Sequence, residues 1–138
     1  RLTNSLQLKT AMELYSTVMS VRKVHIGDVV GYTTYKVKEE GYILTLPIGY
    51  ADGVMRNFQE VYVKGKFLPI VADCMDMLLV FSPEKIAIGT EVEIFGAHIP
   101  ISKVCFRIHT NAYHLFNQIS HRVVRIHVHG REKEEIFY

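Results

Sequence analysis

The chain has 138 residues, of which 49% are hydrophobic and 22% charged, and its formal net charge is +2. That balance describes one soluble globular domain, not a disordered polymer, and at this length folding buries about two-thirds of the chain's surface, so neither disulfide nor metal is needed as a staple. The basic residues are scattered, the segment Glu132-Lys133-Glu134-Glu135 is acidic, and no apolar run approaches the roughly 20 residues of a membrane span, which argues against nucleic acid and membrane as partners.

Only two cysteines, Cys74 and Cys105, and no signal-peptide pattern point to a reducing cytoplasm. The chain opens on polar Arg1 to Asn4 without an initiator Met, as a fragment of something longer would. From Leu6 to Val24 the alternation of Met12, Leu14 and Val18 predicts a long strand. His25-Ile26-Gly27-Asp28 reads as a turn, and Val29 to Lys36 as the next strand. Gly41 to Ile48 is a strand closed by Pro47 and the loop Gly49-Tyr50-Ala51-Asp52-Gly53.

Val61-Tyr62-Val63 and Phe67 to Val71 flank Lys64-Gly65-Lys66, a hairpin signal. Met75 to Phe81 is almost wholly apolar, the mark of a strand buried on both faces, and Ser82-Pro83 ends it. Charged and apolar residues alternate from Glu91 to Gly96, which predicts a half-buried strand. Ser102 can cap one helix near 102–116, with Val104, Cys105 and Ile108 on one face. Arg122 to Val128 alternates as a last strand, and Gly130 opens a charged tail. The fold class expected is mainly β: six to eight short strands in a closed or nearly closed barrel with one helix, as a single domain over 1–138.

The sequence holds no Walker motif, no dinucleotide fingerprint and no Gly-x-Ser-x-Gly. His127 and His129 would share one strand face but lack a third ligand nearby in sequence, so no metal is expected. Cys74 and Cys105 both read as inert core residues. Eight tyrosines and no tryptophan remain, and the default for a half-polar ring is packing at half-buried positions.

Several tyrosines, however, stand in loops rich in Gly and Asp. Gly31-Tyr32 comes first, then Leu46-Pro47-Ile48-Gly49-Tyr50-Ala51-Asp52-Gly53 with Arg56 close behind. Gly65-Lys66 ahead of Pro69-Ile70-Val71, Cys74-Met75-Asp76, and Ile119-Ser120 with Arg122-Val123 and Arg125 follow. In this order and spacing, from about Leu8 to Ile126, the chain resembles the C-terminal domain of alanine racemase.

The resemblance implies a β domain of a fold type III enzyme that uses pyridoxal 5'-phosphate, held by an N-terminal α/β barrel absent from this chain. It implies a homodimer in which each β domain completes the partner's site, a small amino-acid substrate, and D-alanine made for peptidoglycan. Alone, the fragment is expected to be inactive. Racemisation needs a base on each face of Cα, and Tyr32 matches the family's catalytic tyrosine. Met75 matches the residue whose backbone N–H holds the substrate carboxylate, and Asp76 its acidic neighbour. Tyr50 and Tyr113 match the tyrosines that narrow the entrance, Tyr113 also reaching the cofactor phosphate, and Arg56 matches an entrance arginine.

Three positions depart from the family's pattern. The segment between Tyr32 and Tyr35 is one residue shorter than usual, Ala72 stands where an arginine is common, and Val124 where a proline is. A racemase for serine or another amino acid, and a non-catalytic association module, are the alternative readings.

Overall fold

The computed structural model describes residues 10–32 and 34–136. Its centre is a seven-stranded antiparallel sheet in the order β1-β9-β6-β7-β8-β5-β2. The strands are β1 Leu14–Thr17, β2 Ser20–Val24, β5 Gly41–Leu46, β6 Glu60–Val63, β7 Lys66–Asp73, β8 Leu78–Ser82 and β9 Glu91–Phe95. The two edge strands, β1 and β2, are consecutive in the chain, so the sheet curls until its edges are joined by the residues between them. Val18 N–H donates to Thr90 on one side of that joint and Met19 N–H to Thr45 on the other, each at 2.9 Å. A sheet that curls in this way leaves little edge for strand addition.

The mainly β, barrel-like architecture expected from sequence is therefore present, with local corrections. The single strand predicted from Leu6 to Val24 is two strands that turn at Val18-Met19 and pair with different neighbours, and its first residues, 6–9, lie outside the described ones. The strand predicted from Val29 to Lys36 is a small hairpin, β3 Val29–Val30 with β4 Tyr35–Lys36, because Gly31 takes φ +73° and reverses the chain. The strand predicted to begin at Met75 begins at Leu78, and residues 74–77 form a turn instead.

The predicted 61–71 hairpin is as expected: Lys64 and Gly65 both have positive φ, 46° and 81°, the two-residue turn that matches strand twist. The predicted helix is two, α1 Ile101–Arg107 and α2 Ala112–Gln118, separated where His109 adopts φ +54°. Ser102 is not the cap of α1, whose N-cap is Pro100, whereas Asn111 caps α2 by accepting from His114 N–H at 2.9 Å. The charged tail is a strand, β11 Glu132–Ile136, paired with β10 Arg125–His129 in a separate ribbon.

Two apolar clusters explain why β5 and β8 read as continuous hydrophobic runs. Leu44, Leu46, Leu78 and Val80 face the main core with Phe58, Val92, Ile94, Phe95, Val104 and Leu115. Ile43, Val71 and Phe81 face the other way, onto Val24, Val30 and Val37, with Tyr35 and Leu79 packed alongside. The smaller cluster fastens the β3–β4 hairpin onto the sheet, each buried Val or Ile contributing roughly 1.5–3 kcal/mol relative to exposure. The tip of that hairpin carries Tyr32.

Candidate functional site

Two chain reversals meet beside the hairpin tip. The loop 49–53 lies directly on the turn 74–77: Tyr50 N–H donates to Cys74 O at 3.1 Å and Ala51 N–H to Met75 O at 2.9 Å. Within the turn, Cys74 N–H donates to Met77 O at 2.7 Å. Gly49 is required at the crossing, since a Cβ there would stand 2.6 Å from both Met75 O and Met77 N. Gly53 closes the loop at φ +96° against Gln118 O, the last residue of α2.

Asp52 holds the loop from inside. It is 2% exposed, and its Oδ2 accepts from Gly49 N–H at 3.0 Å. Its other oxygen, Oδ1, faces Arg122 Nε at 3.1 Å without the alignment of a hydrogen bond, and its backbone carbonyl accepts from Ser120 N–H at 3.2 Å. Arg125 in turn reaches Ile119 O at 3.1 Å. The motifs at 46–53 and 119–125, far apart in sequence, are thus one mechanical unit.

On this frame the tyrosines face outward, Tyr32 at 70% exposure, Tyr50 at 48% and Tyr113 at 81%. The Tyr32 phenol is held above its ordinary pKa of 10, first by charge and hydrogen-bond interaction with Cys74, then by the proximity of Tyr50 and Asp76. The structure therefore gathers Tyr32, Tyr50, Cys74 and Asp76. Met75 beside them is exposed, and its N–H enters no hydrogen bond among the described residues. Tyr32 and Arg56 line one cleft of about 420 Å³ with Thr34, Met55, Asn57 and Asp73. Tyr113 is displaced along α2, about 7.5 Å of helix rise from the end that abuts Gly53.

Cys74 corrects the sequence reading: it is half-buried and beside Tyr32, not an inert core residue. Cys105 is buried in the main core, and burial pushes its thiol pKa up. Asp73, Asn57 and Thr34 went unnoticed in the sequence; only the proximity of Asp73 to Cys74-Met75-Asp76 hinted at its place. Among the described residues no three His, Cys, Asp or Glu side chains gather to hold a metal ion, and no helix is long and apolar enough to cross a membrane.

A curled antiparallel sheet whose tyrosine-bearing hairpin borders an open cleft with residues 55–57, next to two interlocked loops, has the form of an accessory β domain. Residues 11–127 match the family described as alanine racemase, C-terminal domain, and the chain belongs to that family. It is 36% identical over 137 residues to alanine racemase of Anoxybacillus flavithermus, covering 94% of this chain and 36% of that protein. With alanine racemase of Geobacillus stearothermophilus it shares 39% over 127 residues, covering 86% and 33%.

Among solved structures, alanine racemase of Bacillus anthracis with bound L-Ala-P superposes with a TM-score of 0.86 at 36% identity, over 91% of this chain and 35% of that one. Alanine racemase of Clostridium difficile 630 does so at 0.89 and 30% identity, over 98% and 38%. The chain thus spans about a third of the length of the relatives it matches.

Proposed function

We propose that this chain is the β domain of a longer pyridoxal phosphate-dependent alanine racemase that interconverts L- and D-alanine for peptidoglycan in the cytoplasm. The observation that carries the reading is the exposed Tyr32 on a hairpin anchored through Val30 and Val37, beside Cys74, Asp76 and the Tyr50 loop. In the proposed enzyme an N-terminal α/β barrel holds the cofactor, and in a homodimer each β domain faces the barrel of the other subunit.

When bound, pyridoxal phosphate supplies the electron sink that makes an amino acid's α-hydrogen removable. The Tyr113 phenol, exposed on α2, is a donor suited to a phosphate oxygen, so the residues present fit one edge of that group. Tyr32 takes or returns the α-proton through its phenol oxygen on one face of the substrate carbon. The Met75 N–H is a fixed donor for the substrate carboxylate, Asp76 flanks it, Tyr50 and Tyr113 narrow the approach, and Arg56 attracts the anion at the cleft.

Cys74, Tyr50 and Asp76 each disfavour the Tyr32 phenolate, which is the wrong direction for a base at neutral pH. Positive charge from the facing barrel must reverse that shift, and so the isolated chain is expected to be inactive. Serine is the second candidate, with the polar Thr34, Asn57 and Asp73 lining the cleft beside Tyr32.

The test is a racemase assay of the full-length parent on L-alanine and L-serine. Turnover that collapses in Tyr32→Phe supports the reading, and normal rates in that variant contradict the role of Tyr32. A parent lacking racemase activity altogether supports the non-catalytic alternative.

A further inference from the structure

A bulge in β7 aims three consecutive side chains in three directions. Ile70 pairs with Val80 and Ala72 with Leu79 on β8, leaving Val71 as the extra residue. Ile70 enters the main core, Val71 the smaller cluster, and Ala72, 2% exposed, ends beneath the tyrosine hairpin. Gly31 stands directly above it: a Cβ on Gly31 would lie 2.6 Å from Ala72 Cβ. The two residues leave each other no spare volume. Gly31 also needs its left-handed φ of +73°, so the hairpin tip can neither acquire a side chain there nor settle lower.

We propose that Ala72 is a positioning residue that sets the height of the Tyr32 phenol above the Cys74–Asp76 turn. The inference rests on the reading of Tyr32 as the proton-transferring group. The flanking strands are fixed independently, by Val30 and Val37 in the smaller cluster and by the Gly27 N–H donation to Val37 O at 2.9 Å. A larger residue at 72 is therefore accommodated by lifting Gly31 and Tyr32 before the core gives way. A displacement of about 1 Å at a reacting group costs on the order of a hundredfold in rate. Residue 72 thus acts on chemistry through geometry while lying out of the cleft itself.

The experiment uses the full-length holoenzyme in deuterated water and follows α-hydrogen exchange separately from L- and D-alanine, with kcat and KM. Ala72→Val should slow exchange from the enantiomer whose hydrogen faces Tyr32 by about tenfold to a hundredfold. Exchange from the other enantiomer and KM should stay close to wild type. Ala72→Ser, one atom larger, should lose only a few fold, and carries the test should the Val variant not fold. Equal loss on both faces, or none, overturns the proposal. Tyr32→Phe separates the two ideas: if it removes one-sided exchange while Ala72→Val and Ala72→Ser do not, the proposal fails and the role of Tyr32 stands. If Tyr32→Phe leaves both exchanges intact, the role of Tyr32 fails, and the proposal with it.

Discussion

Two regions of the molecule gather tyrosines and carboxylates, and they use them in opposite ways. Along β1, β6 and β9, the Tyr15 hydroxyl donates to Glu13 at 2.6 Å, which with burial pushes its pKa well up. Tyr62 stacks on His98 at 3.8 Å with ring planes 9° apart, and meets Phe67 edge-on at 5.1 Å. Glu93 is buried and accepts from His98 N–H at 2.9 Å and Ile99 N–H at 2.8 Å. There each polar group closes a local loop. In the hairpin, Val30 and Val37 anchor the strands in the smaller cluster, while the rings of Tyr32 and Tyr50 are exposed. The first set is committed to its own sheet; Tyr32, although it too has a partner in Cys74, remains mostly exposed and within reach of another molecule.

The comparison breaks most sharply if the two sets respond alike to substitution. The largest expected effect is on catalysis: in the full-length parent, Tyr32→Phe should lower turnover by about 10² to 10⁴, the range of a positioned acid–base group. Next comes Glu93→Ala, which leaves two backbone donors near the loop 96–99 without an acceptor. Chemical denaturation should register a loss of about 2–3 kcal/mol, with kcat in the parent little changed.

Asp52→Ala removes the acceptor of Gly49 and the partner of Arg122. It should cost about 1–2 kcal/mol. Because it loosens the Tyr50 loop, a rise in KM should accompany that loss; a KM left unchanged would detach Tyr50 from the entrance.

Glu60 supplies a pH-dependent contrast. Burial alone would raise its pKa, but hydrogen bonds from Arg107 at 2.7 Å and Lys103 at 3.0 Å, with the charges of both, outweigh burial and hold it below its ordinary 4.5. A depressed folded pKa gives stability that is present above 4.5 and is lost as pH falls through the lower folded value. Glu60→Gln should therefore flatten stability against pH below about 4.5. The smallest effect belongs to Lys66→Ala: its 2.7 Å pair with Glu84 is about half exposed or more on both sides, and thermal unfolding should shift by less than about 1 kcal/mol equivalent.

How far the sequence revealed all this depended on the range of the interactions. The 64–65 turn was legible because its chemistry is local. The break at Val18-Met19 was not, since each half of 6–24 looks like strand and only their distant partners, β9 and β5, divide them. Alternation placed Glu93 on the exposed side, but the chain after Gly96 folds back and covers it with its own amides. The apolar face from Val104 to Phe116 hid the helix break at His109.

At the site, the motif tyrosines were singled out through family resemblance, whereas Asp73 and the Gly31–Ala72 contact depend on a bulge that no local pattern announces. Ala72, which stands where an arginine is common in the family, is buried under the hairpin.

The most direct test of the division between presented and structural tyrosines is a paired measurement on the full-length parent: racemisation rate and thermal unfolding for Tyr32→Phe and Tyr62→Ala. The account predicts a crossed result. Tyr32→Phe should lose turnover with stability within about 0.5 kcal/mol of wild type, as expected for an exposed position. Tyr62→Ala, which loses the stacking on His98 and Phe67, should lose about 2 kcal/mol while its folded fraction turns over normally. Normal turnover in Tyr32→Phe would contradict the central claim.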